Sequence, residues 1–135
     1  MDKEKLPENK GVRILVVDDD RQVHDIFALR LKDEGYRIDY VFSGEEALKV
    51  VKVERYDLVF IDKFMPGMDG IESCREIKKV SPDSILIFMT GSFDKESTIK
   101  EAQFVDAGGR TYYLYKPFAQ GELQEVIKKA LNDGK

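Results

Sequence analysis

The sequence predicts an α/β fold, a doubly wound five-stranded parallel sheet with five helices divided between its faces. Three observations carry that expectation. The apolar runs Ile14–Val17, Leu58–Ile61 and Ile85–Met89 are short and continuous, as strands buried on both faces of a parallel sheet are. Between them lie segments whose apolar residues recur at spacings of three and four, the period of an amphipathic helix. Strand and helix patterns then alternate along the chain, the order that a parallel sheet with crossover helices requires.

The elements follow in turn. A charged decapeptide, MDKEKLPENK, precedes the first strand and reads as a mobile tail over residues 1–10, with the domain occupying 11–135. Gln22–Glu34 carries Val23, Ile26, Phe27 and Leu31 on one stripe and stops before Gly35, a candidate C-terminal glycine. Tyr36–Phe42 is a weaker strand candidate. Ser43 and Glu46 then have capping-box spacing ahead of Ala47, Leu48 and Val51. Asp69 and Glu72 repeat that spacing before Ile71, Cys74 and Ile77. A fourth helix is expected over about Lys95–Asp106, closed by Gly108 and Gly109. Thr111–Tyr115 is the other weaker strand candidate, and Leu123, Val126, Ile127, Ala130 and Leu131 define the face of the last helix.

Composition narrows the function classes. With 135 residues, 42% of them hydrophobic, the chain is long enough for one well-packed domain. No apolar run approaches the ~18 residues of a membrane helix, and the charged N-terminus has no signal-peptide core. A cytosolic location is the default expectation, with no membrane partner. The net charge of −4 is spread over interspersed charges of both signs, so no basic stripe invites direct nucleic-acid contact. The single cysteine, Cys74, excludes an internal disulfide or a Cys-based zinc site and reads as a small core residue.

Chemistry gathers where the predicted strands end. In an open α/β sheet the ligand site lies outside the carboxyl ends of the strands. There the sequence sets Asp18, Asp19 and Asp20 after the first strand, Asp62 after the third, Thr90 after the fourth and Lys116 after the fifth. Any one of these would serve as a cap or turn residue, but four such positions at one edge point to a site. Converging carboxylates repel unless a cation or a proton intervenes. An oxygen-rich set without His or Cys favours Mg²⁺, which takes one or two carboxylates and keeps waters and phosphate oxygens. Lys116 is suited to a phosphoryl oxygen as a point charge, and the Thr90 hydroxyl to donating to another. Asp62, central among the strand ends, is the candidate nucleophile toward phosphorus, giving an aspartyl phosphate. In the following MPGMDG, Pro66 discourages helix at Met65, while Gly67 and Gly70 permit a tight path. Phe64 would offer a backbone carbonyl to the ion.

From Val12 to Leu131 the motifs ILVVDD, DLVFIDKFMPGMDG, MTG and YKPF arrive in an order that resembles the receiver domain of two-component response regulators. The resemblance implies a flavodoxin-like, receiver-type fold with Asp62 as phosphoacceptor. It implies Mg²⁺ at Asp19 directly, at Asp18 through water, at Asp62 and at the Phe64 carbonyl, with Thr90 and Lys116 as the partner hydroxyl and lysine. A phosphohistidine on a histidine kinase or phosphotransfer protein would supply the phosphoryl group, and the domain itself would catalyse transfer and hydrolysis. Output would pass through the fourth helix, fifth strand and fifth helix to a downstream protein, with Thr90 and Tyr113 as the switch pair.

Some features stand apart from the pattern. The stretch GGRTYYLYK is one residue longer than the family spacing, so Tyr112 and Tyr115 compete with Tyr113, and packing or a partner surface is as good a reading of the aromatic-rich strand as the switch. Lys63 and Phe64 flank the acceptor where the family varies. Asp20 has no family role and would start the following helix. His24, with no ligand-spaced neighbour, is read as a surface or packing residue away from the pocket and not as a phosphohistidine donor. A haloacid-dehalogenase-like phosphatase would want Asp-x-Asp-x-Thr after the first strand, where this chain has Gln22 at the Thr position. A nonphosphorylated pseudo-receiver would have lost part of the pocket, and a flavin carrier would need a phosphate loop after the first strand. The chain ends at LNDGK without an output domain, so any effect is expected to pass through a partner.

Overall fold

The computed structural model describes residues 11–63, 65–90, 103, 105–108 and 113–133. Five strands form one parallel sheet: β1 (Arg13–Val17), β2 (Arg37–Val41), β3 (Leu58–Asp62), β4 (Ile85–Thr90) and β5 (Tyr113–Tyr115), in the order β2-β1-β3-β4-β5. Helices α1 (Arg21–Leu31), α2 (Gly44–Val51), α3 (Gly70–Val80) and α4 (Glu122–Asp133) are seen among the described residues. The helix expected over about Lys95–Asp106 lies mostly outside them, although Gln103, Val105 and Asp106 are helical. No described helix is long and apolar enough to cross a membrane.

The continuous apolar runs are explained by the sheet's two covered faces. Strand side chains alternate between faces. Ile14, Val16, Leu58, Phe60, Ile87 and Met89 therefore join Val23, Phe27 and Leu31 of α1 and Leu123, Ile127 and Ala130 of α4 in one core. Leu15, Val17, Val59, Ile61, Leu86 and Phe88 join Ala47, Val51, Ile71, Cys74 and Ile77 in the other. Cys74 is a fully buried core residue, as its place in the α3 stripe suggested.

The predicted caps form. The Ser43 side chain accepts from the Glu46 amide at 3.1 Å, and Asp69 accepts from the Glu72 amide at 2.8 Å. Asp20 caps α1, taking the Gln22 amide at 2.9 Å. Helix α1 ends where its apolar stripe ends, short of the span to Glu34 expected from Gly35. It stops at Leu31 because Lys32 is extended and Asp33 is left-handed with φ 68°, so the chain has already turned before Gly35.

Phe27 is fully buried and meets Phe60 at 5.0 Å and Phe118 at 5.7 Å between ring centroids, tying α1 to the sheet and to the loop after β5. Phe27→Ala is expected to cost roughly 3–5 kcal/mol of stability in urea denaturation, the range for deleting a buried aromatic ring.

Candidate functional site

Strand order decides where the acidic residues meet. The chain passes from β1 out to β2 and returns on the other side of β1 as β3, so the sheet reverses between β1 and β3. The crevice at such a reversal is the usual ligand position. Val17 pairs with Ile61, and the same register brings Asp18 beside Asp62 as the two strands end. Asp62 pairs with Met89, Thr90 pairs with Tyr115, and the Lys116 amide donates to the Thr90 carbonyl at 2.8 Å. Asp62, Thr90 and Lys116 thus end three adjacent strands.

The side chains of Asp18, Asp19 and Asp62 each bring a carboxylate oxygen within 4.8 Å of the others. Lys116 Nζ donates to Asp18 Oδ2 at 2.7 Å and to Asp62 Oδ1 at 2.8 Å, bridging the pair. Asp18 is fully buried and Asp62 nearly so, while Asp19 is exposed. The second Asp18 oxygen, Oδ1, accepts from the Asp20 amide at 2.8 Å. Asp18 is thereby held from both sides, and Asp19 faces solvent at the mouth of the cluster.

Burial and charge crowding together set the protonation behaviour. Burial is the largest influence on Asp62 and, with the negative charges of Asp18 and Asp19, pushes its carboxyl up to about 6 against the opposing effect of Lys116. Burial favours the neutral amine of Lys116, but its hydrogen bonds to Asp18 and Asp62 outweigh that and hold it above the usual lysine range. The site is short of positive charge, which suits a divalent cation. The buried Thr90 hydroxyl has no hydrogen-bond partner among the described residues, an uncommon state for a buried polar atom and one that leaves a donor for a ligand.

Asp18, Asp19, Asp62 and Lys116 come together as their sequence positions implied, and Thr90 ends the strand beside Asp62. Phe64 and the side chain of Tyr113 lie outside the described residues; the Tyr113 backbone pairs with Phe88 in β5. The two loop glycines serve separate purposes. Gly67 adopts φ +78°, where only glycine is at ease, whereas a Cβ on Gly70 would collide with the Asp62 carbonyl. Lys63, placed at a variable flank by its motif, is in fact buried.

His24 departs from its sequence reading. It packs, as one alternative had it, but it is not remote from the pocket: the ring is buried and its Nε2 lies 2.7 Å from the Asp18 carbonyl oxygen. The available signal was its place on the same helical stripe as Phe27 and Leu31, three and seven residues on.

The raised Asp62 carboxyl carries a stability consequence. Between about pH 4 and 6 the folded metal-free chain holds a proton that the unfolded chain has lost, so this group's contribution to stability falls as pH rises across that interval. Asp62→Asn removes the buried charge. It should stabilise the chain in EDTA by on the order of 2 kcal/mol at pH 7.5, with the gain vanishing near pH 4, as read by urea denaturation.

Comparison with known proteins agrees with this geometry. Residues 14–128 match the family model described as the response regulator receiver domain. The response regulator MprA of Mycolicibacterium vanbaalenii is 38% identical over 120 residues, which cover 89% of this chain and 50% of that protein. MprA of Mycobacterium ulcerans is likewise 38% identical over 121 residues, 90% of this chain and 50% of the relative. The chain therefore spans about half the length of the curated relatives it matches. Among solved structures, a CheY-like response regulator receiver domain protein from Methanospirillum hungatei superposes with a TM-score of 0.80 at 30% identity, covering 91% of this chain and 95% of that one. A two-component response regulator from Clostridium difficile gives a TM-score of 0.80 at 26% identity over 90% of this chain and 96% of the other. With a parallel sheet of matching order, an acidic cluster at its switch point and a family match across most of its length, the chain belongs to the response regulator receiver domain family of two-component systems.

Proposed function

We propose that Asp62 is the phosphoacceptor of this receiver and that Mg²⁺ is held by Asp18, Asp19, Asp62 and the Phe64 carbonyl. The observation that carries the reading is the convergence of three carboxylates within 4.8 Å beneath a lysine bridging two of them. A bound Mg²⁺ would neutralise charge on the acceptor and on the incoming phosphoryl oxygens.

The remaining chemistry belongs to the chain. An ionised Asp62 oxygen attacks phosphorus, the phosphorus–nitrogen bond of a phosphohistidine breaks, and the imidazole departs with the electron pair, leaving an acyl phosphate on Asp62. Lys116 turns from the carboxylates to a phosphoryl oxygen, and the Thr90 hydroxyl, without a partner among the described residues, donates to another. Water then attacks phosphorus, releases phosphate and restores the carboxylate, so the domain catalyses its own loading and reset. The donor is a histidine kinase or phosphotransfer protein. Readout runs from Thr90 and Tyr113 to a downstream protein at the helix expected over about 95–106, β5 and α4. The domain occupies 11–135, the tail lies before it, and the setting is cytoplasmic.

Intact-mass spectrometry after incubation with acetyl phosphate tests the acceptor. A Mg²⁺-dependent, hydroxylamine-labile phosphoryl adduct is expected on the native chain and not on Asp62→Asn; an adduct of equal yield on both would reject Asp62. For the metal, Asp19→Asn should weaken Mg²⁺ binding by about tenfold or more, ~1.4 kcal/mol, in a calorimetric titration, and an unchanged isotherm would remove Asp19 from the ligand set.

A further inference from the structure

We infer that His24 is a positioning residue for the cation site, holding the Asp18–Asp19 peptide in the orientation that aims the Asp19 carboxylate into the acidic cluster. This deepens the reading of the site as a Mg²⁺ centre and rests on it. The Asp18 carbonyl can only accept, so at 2.7 Å the His24 Nε2 is the donor and carries the proton. The ring's other nitrogen, Nδ1, is buried without a hydrogen-bond partner among the described residues. An orphaned acceptor costs less there than an orphaned N–H donor, which selects the same tautomer.

The contact acts on Asp19 through covalent geometry. The Asp18 carbonyl and the Asp19 amide share one rigid peptide plane. Fixing the direction of that carbonyl restricts the rotation of the plane and hence where the Asp19 Cα and Cβ lie. Asp18 needs little such help, since its carboxylate is gripped by Lys116 and the Asp20 amide and its own amide donates to the Val41 carbonyl at 3.2 Å. Asp19 is the exposed member of the cluster, and its backbone direction matters most.

The histidine is itself built in. Its ring meets Tyr40 edge-on at 5.2 Å and Phe42 at 4.6 Å between centroids, and α1 is anchored below it by Phe27. An aromatic residue of similar size keeps those ring contacts, while only a residue with a correctly placed N–H keeps the bond to Asp18. Packing and positioning are therefore separable by substitution.

The experiment compares Mg²⁺ titrations of the native chain, His24→Phe and His24→Gln, followed by calorimetry and by the Asp19 amide signal in NMR spectra. His24→Phe should retain the native circular dichroism spectrum and bind Mg²⁺ roughly tenfold more weakly, the lower end of the loss seen when a partner that orients a metal ligand is removed. His24→Gln, whose side-chain amide reaches the same carbonyl, should recover most of that loss. Equal Mg²⁺ affinity in His24→Phe and the native chain overturns the inference while leaving the metal reading intact, and failure of the native chain to bind Mg²⁺ overturns both. Should His24→Phe not fold, the native chain decides through the long-range ¹H–¹⁵N spectrum of the imidazole. A proton on Nε2 whose resonance moves with the Mg²⁺ titration supports the inference, and a proton on Nδ1 alone, or an Nε2 signal indifferent to Mg²⁺, overturns it.

Discussion

The charge cluster at the β1/β3 reversal is the constraint around which the domain is organised. Two like charges 4 Å apart repel by about 1 kcal/mol even in bulk water and by several times that near a protein, so a buried Asp18 and a nearly buried Asp62 need a cation between them. Lys116 supplies it to both at hydrogen-bonding distance. The lysine stands 98 residues after Asp18, beyond the fifth strand, so the pair can form only once the sheet is complete. The same single positive charge cannot balance three carboxylates, and that deficit adds to the burial that raises the Asp62 carboxyl and suits the cluster to a divalent cation.

Helix α1 braces this arrangement at both ends. His24 reaches back to the strand end that carries Asp18, and Phe27 fills the space between β3 and the loop after β5. One turn further, Arg30 Nη1 donates to the carbonyls of Phe118 and Ala119 at 2.8 and 3.1 Å, and Gln124 of α4 donates to the Arg30 carbonyl at 3.0 Å. The loop that delivers Lys116 is therefore fastened to the helix that fastens Asp18. A displacement of α1 would reach the acidic and basic halves of the site together.

The opposite end of the sheet shows what polar contacts look like when they serve the fold. Tyr56 is buried and donates its hydroxyl to Asp39 at 2.7 Å, Arg13 lies 5.2 Å above the Tyr56 ring and pairs with Glu54, and Asp57 accepts the Arg13 amide at 2.9 Å. Burial, and then the bond to Asp39, raise the Tyr56 phenol well above its ordinary range, so it stays protonated. Arg13, Glu54, Asp39 and Asp57 there each have a partner of opposite sign or a hydrogen bond. The carboxyl-end cluster, with three acids to one lysine, is left unbalanced, and that imbalance separates a functional edge from a structural one.

The sequence by itself determined what depends on near neighbours. Continuous apolar runs marked the buried strands, spacings of three and four marked the helical faces, Ser43 and Asp69 marked helix starts, and the polar residue closing each run named Asp18, Asp19, Asp62, Thr90 and Lys116 as site candidates. Each of these is a local choice of period, cap or turn. The end of α1 departs from the expected Glu34 because Gly35 is the visible stop signal, while the earlier left-handed turn at Asp33 is a conformational choice that composition barely signals. Tertiary structure alone decided the order β2-β1-β3-β4-β5, the meeting of Asp18 with Asp62, the Lys116 bridge, the burial of the Thr90 hydroxyl beside them and the bond from His24 to the Asp18 carbonyl. Those contacts join residues from separate strands and helices, and their geometry is set by how two covered faces bury their side chains across the whole sheet, which no short window of sequence contains.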